Sequence, residues 1–225
     1  MVSGSKRVIT AAGVKASQAP LIGHHQLIVG LLRANLLSLN ARIVIAGAEP
    51  ARGDMPLFSF IDVAAFAAKH HQGDRTAAIE ALLRNGPNMK YVPNRAYANA
   101  KLIIAWWVAA LSRRLPSGMV VYAVSLDSAP DTKVARNAGP ALKWLIIPLT
   151  PDIAAHWYLQ ASKFGTDASR QFFASAPTKL TGPIKAIHHP HFHDRANQEA
   201  AWQAVVNVSG VDLSNDQRPH LNTKT

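Results

Sequence analysis

The chain has 225 residues, 48% hydrophobic and 16% charged, a balance that excludes a disordered polymer and allows one full-sized core. It has no cysteine, which excludes disulfides, thiol catalysis and Cys-based zinc sites and suits a reducing cytoplasm. The formal net charge of +11 invites a nucleic-acid partner, but Lys and Arg are spread mostly singly, with no basic block or nucleic-acid motif, so a generally basic surface is expected.

In chain order, "KRVITAAG" (6–13) is a short β-branched run ending in small residues and predicts a strand opening into a loop. From 18 to 35, Leu21, Ile22, Leu27, Ile28, Leu31 and Leu32 recur at helical spacing. "RIVIAGA" (42–48) is continuously apolar, as expected of a strand covered on both faces in a parallel sheet. Helices are predicted near 61–69 and 76–83, then a long one in "NRAYANAKLIIAWWVAALSRRLP" (94–116). "MVVYAVS" (119–125) predicts a third strand. Residues 127–151 form a proline-punctuated excursion with a helical patch around 141–147. A helix at 154–162, a strand at 170–176 and an amphipathic helix at 198–208 follow, with a frayed tail at 212–225. This alternation is the pattern of an α/β parallel sheet with right-handed crossovers. No apolar run reaches the roughly 18 residues of a membrane span. The first residues lack the apolar core and cleavage pattern of a signal peptide.

Tyr97 and Lys101 share one helix face at i and i+4. A phenol beside a fixed positive charge releases its proton more readily, as a general acid/base requires, although the spacing also suits an ordinary helix surface. "HHPHFH" (188–193) could chelate a metal, but only Asp194 offers a nearby carboxylate; a solvated loop is expected instead, and no metal. The histidine pairs 24/25 and 70/71 read as helix-surface residues, and Trp106 and Trp107 as core or helix-pairing residues.

Taken in order, "TAAGV", "ARIVIAGA", "AYANAK" and "VVYAVS" resemble the short-chain dehydrogenase/reductase family. "SRRLPSGMVVYAV", "RQFFASAPTKLTGP" and "NQEAAWQAVVNVSGV" extend the likeness to about Val211. The resemblance implies a partial Rossmann-like, doubly wound parallel sheet holding the family's strands 4 to 7, in one truncated domain over 1–211. It implies reduction of a small carbonyl compound or oxidation of an alcohol, with NAD or NADP. Tyr97 would be the acid/base. Lys101 would lower its pKa and bond the cofactor ribose. Ala12, Gly13, Ser128 and Thr132 would also contact the cofactor.

The sequence departs from the family's pattern in several places. It has no Gly-x-Gly turn to seat a pyrophosphate, and the first three strands are missing. The family's catalytic serine falls at Ala48, with Ser59 the nearest hydroxyl. The supporting asparagine falls at Pro20, and the family's Pro-Gly falls at Leu126-Asp127. The missing strands would leave strand 6–13 as a bare sheet edge, so strand pairing or homo-oligomerisation is expected. A non-catalytic binding fold is the alternative function. The apolar patch Leu142, Trp144, Leu145, Ile146 and Ile147 suits either a hydrophobic substrate or a core.

Overall fold

The computed structural model describes residues 6–55, 58–86, 89–125, 151–177, 179 and 182–213. Three apolar runs make the parallel part of one sheet: β1 (Arg42–Ala46), β2 (Val120–Val124) and β3 (Phe172–Ala174). β1 pairs with β2 from Arg42↔Val120 to Ala46↔Val124, and β2 with β3 through Ala123↔Phe172 and Val124↔Phe173. A short β4 (Lys185–Ala186) lies antiparallel to β3, giving the order β1-β2-β3-β4. This open, mostly parallel sheet with flanking helices is a Rossmann-like α/β arrangement.

Alternate residues of β2 serve opposite faces, as strand geometry requires. Val121 and Ala123 join the larger core, while Val120, Tyr122 and Val124 join a smaller one. The larger core is built on α1 (Ala19–Arg33), α3 (Arg75–Arg84), α4 (Pro93–Ser112) and α7 (Arg195–Ser209). The smaller core includes α5 (Pro151–Ala161), whose Ala161 carbonyl accepts the Tyr122 hydroxyl. α4 is buried without a break from Leu102 to Leu111, because it packs on β2 and on α7. Among the described residues no helix is long and apolar enough to cross a membrane.

The helix starts follow from the sequence. Pro20 and Pro93 sit in the first turns of α1 and α4, where a missing N–H costs nothing. Asp62, Asp74 and Asp194 cap α2 (Val63–His70), α3 and α7 by accepting first-turn backbone N–H groups. Pro190 opens a short helical turn, α6 (Pro190–His193).

Two strand expectations are corrected. Residues 6–13 do not enter the sheet. They reverse at Gly13, whose φ of +72° suits glycine, and fold back through an antiparallel Ile9↔Lys15 bridge. Lys15 N–H then bonds the Leu83 carbonyl at 2.9 Å, which holds the turn beside α3. Among the described residues β1 is therefore the sheet edge on this side. Having a strand on one side only, β1 buries Ile45 fully but leaves Ile43 and Val44 partly open. A groove of about 490 Å3 lined by His24, Leu27, Ile28, Val44 and Tyr158 runs along its free side. The sequence pattern also missed β4, a strand of two residues. The excursion at 127–150 lies outside the described residues.

Candidate acid–base site

Strands of open α/β sheets carry ligands at their carboxyl ends, and here that end is reached by α4. The first turns of α4 bring Tyr97 and Lys101 to the carboxyl end of β1. Lys101 Nζ donates to the Ala46 carbonyl at 3.1 Å and lies 5.8 Å from the centroid of the Tyr97 ring. Phe58 holds the other side of the phenol, with ring centroids 6.2 Å apart. The chain leaves β1 through Gly47, where a Cβ would come within 2.8 Å of the Phe172 ring, and through buried Ala48 to buried Glu49. Glu49 opens a 3-10 turn (Glu49–Arg52).

The electrostatics differ from the expectation for Tyr97. Its pKa is raised, first by burial and then by the negative charge of Glu49 and by Tyr158. The Lys101 ammonium, 5.8 Å from the ring centroid, does not outweigh these effects. Burial lowers Lys101 to about 8, with Glu49 pulling the other way. Tyr158 is pushed up to about 12 by burial and Glu49, and His24 is lowered by burial and Lys101. The site is thus a cluster in which Glu49, Tyr158 and His24 join the predicted pair.

The other predicted residues are placed as follows. Gly13 packs against Arg84, with a Cβ there only 3.1 Å from Nη1, so the Ala12–Gly13 turn lies at α3. Ser128 and Thr132 lie outside the described residues, as do Leu126 and Asp127. Ser59 Oγ accepts from Arg95 Nε at 3.3 Å and is exposed. A nicotinamide dinucleotide fits this arrangement in part. Lys101 has two further ammonium protons to offer a ribose, whereas the Ala12–Gly13 turn makes no cradle for a pyrophosphate.

The histidine expectations also change. His25 is fully buried: Trp107 Nε1 donates to its Nδ1 at 3.1 Å, so its Nε2 carries the proton and donates to Val211 O at 2.8 Å. His191 is likewise docked, with Nε2 against the Ala51 carbonyl at 2.9 Å, and Trp106 Nε1 bonds its carbonyl at 2.6 Å. Burial and the neighbouring His189 lower His191 to about 4. His188, His189 and His193 are exposed.

A pH dependence follows. A histidine held below its ordinary 6.5 stays neutral in the fold, so the unfolded chain binds the extra proton and stability falls as pH drops below 6.5. His191 extends that window down to about 4. Its share, discounted for partial exposure, is about 2–3 kcal/mol. Urea midpoints measured from pH 7 to pH 4 should fall through this window, less steeply in His191→Gln. Parallel curves for the two proteins would refute the assignment.

No protein-family model and no curated protein matches the chain. Among solved structures, the crystal structure of an uncharacterised protein from Mycobacterium paratuberculosis is similar, with a TM-score of 0.54 and 16% identity. The match covers 92% of this chain and 63% of that one, so this chain spans under two thirds of its neighbour's length. At that identity the likeness is one of fold.

Proposed function

We propose that the cluster at the carboxyl end of β1 is the acid–base site of a short-chain dehydrogenase/reductase-like oxidoreductase acting on a small carbonyl compound or alcohol. The observation that carries this reading is the Lys101 bond to the Ala46 carbonyl with Tyr97 one turn earlier, at a strand's carboxyl end. NAD or NADP, when bound, would supply or accept the hydride. Lys101, with Ser128 and Thr132 from the family resemblance, would hold that cofactor. Because burial and Glu49 keep Tyr97 protonated, it acts as a proton donor to a carbonyl oxygen.

The test is fluorescence titration with NADH and NADPH, followed by carbonyl reduction. Turnover should be lost in Tyr97→Phe. It should rise by about 10²–10³ in Ala48→Ser, which restores an oxyanion donor. Absence of binding at millimolar cofactor would exclude the oxidoreductase reading.

A second reading is a non-catalytic binding fold. It is favoured by the missing hydroxyl at Ala48 and by the raised pKa of Tyr97. Here the free side of β1 would make the contact, pairing with a strand of a second copy or of another chain.

A further inference from the structure

A second cavity, of about 460 Å3, lies between α4, the turn before β3 and the start of α7. Arg113, Arg170, Arg195, His188 and His193 converge on it from separate segments, and no Asp or Glu lines it. Two neighbouring carboxylates are already engaged. Glu199 accepts from Arg113 and Arg114 at 2.6 Å each, and Asp194 accepts from Arg75 at 3.0 Å while capping α7. Among the described residues, the guanidinium groups of Arg170 and Arg195 have no carboxylate partner.

Arg170 adds a second signal. Its φ is +68°, a region that non-glycine residues seldom occupy. Its N–H bonds the Val121 carbonyl at 2.7 Å, which fixes this backbone and directs the residue to the mouth of the cavity. Gln171 and Gln198 also line the cavity, and its apolar part includes Ile187 with Phe172 and Phe192, whose rings stack on each other at 4.9 Å and 19°. The volume lies in the range of small-molecule sites, roughly 300–1,000 Å3.

Guanidinium forks match phosphate oxygens in paired, charge-assisted hydrogen bonds, and two of them balance a dianion. We propose that this cavity binds a phosphomonoester with an apolar organic group, its phosphate held by Arg170 and Arg195 and its apolar group against Ile187 and the edges of Phe172 and Phe192 that line the cavity. The site is separate from the Tyr97–Lys101 crevice and does not depend on the oxidoreductase reading.

Calorimetric titration of the full chain with phenyl phosphate at low ionic strength tests it. Saturable binding is expected, weakened at least about tenfold in the Arg170→Gln/Arg195→Gln double variant, as for two lost charge-assisted contacts. Both side chains are exposed, so unchanged circular dichroism and Tm should show that the variant folds. Tyr97→Phe should bind as the parent does, so failure at the crevice and failure here are told apart. Lys69→Gln, which removes an exposed charge on α2, should also bind normally. The proposal is overturned by absence of saturable binding, by an equal loss in Lys69→Gln, or by inorganic phosphate binding as tightly as phenyl phosphate.

Discussion

Replacing Arg52 with alanine should destabilise the fold by about 3–5 kcal/mol, the range for breaking a buried charged network from one side. Arg52 is 2% exposed and ends the 3-10 turn after β1. Its Nη1 donates to Ser175 O at 2.7 Å, Ser175 Oγ at 3.0 Å and Ala176 O at 3.0 Å. Nη2 donates to Lys179 O at 2.9 Å, and Nε to Asp54 Oδ1 at 3.0 Å. One planar fork thereby ties the segment after β1 to the segment after β3. Truncation leaves the buried Ser175 carbonyl without its donor and unties the Ala176 and Lys179 carbonyls from the turn, and lysine, a single point donor, cannot satisfy them together. For a domain whose whole stability is about 5–15 kcal/mol, that is a large share. Urea unfolding followed by circular dichroism measures it; a loss below about 1 kcal/mol would mean that water replaces the fork.

Trp107→Ala should cost a similar amount, about 3–5 kcal/mol, for a different reason. The indole is fully buried in α4, and its removal opens a void between α1, α4 and α7. It also orphans His25 Nδ1, whose ring meets Trp107 at 6.0 Å and Trp202 at 5.0 Å, both edge-on. Trp107→Phe separates the two contributions: it keeps most of the apolar volume and loses the hydrogen bond, so about 1–2 kcal/mol is expected. Thermal melts of both variants check this. Equal losses would mean that the hydrogen bond, and not the volume, dominates.

The parts of the fold legible in the sequence are those fixed by local periodicity. The runs of β1 and β2 and the apolar pattern of α4 were visible because burial on defined faces writes itself into the order of residues. Residues 6–13 were misread because β-branched residues indicate an extended chain, not the neighbour it pairs with, and here the neighbour is Lys15 in a tight reversal. The Tyr97–Lys101 pair was legible from spacing. Glu49, Tyr158 and His24 were not, since they reach the site from the turn after β1, from α5 and from α1, and only the tertiary fold brings them together. Arg52 carries no local signal either, as one arginine in "EPARGD" reads as a turn residue. His25 did carry a signal: it lies in step with Leu21, Ile28 and Val29 on the buried stripe of α1.

The position of Tyr97 and Lys101 on α4, and not on a loop, has a consequence for how the crevice can change. The helix that presents them is clamped from Leu102 onward by β2 and α7, so the two groups are preorganised and lose little freedom when a ligand arrives. Adaptation to a new ligand would then have to come from the opposite walls, the turn bearing Glu49 and the helix bearing Tyr158. Selection for specificity can act there without disturbing the spine of the core, whereas any shift of α4 would alter stability and chemistry together.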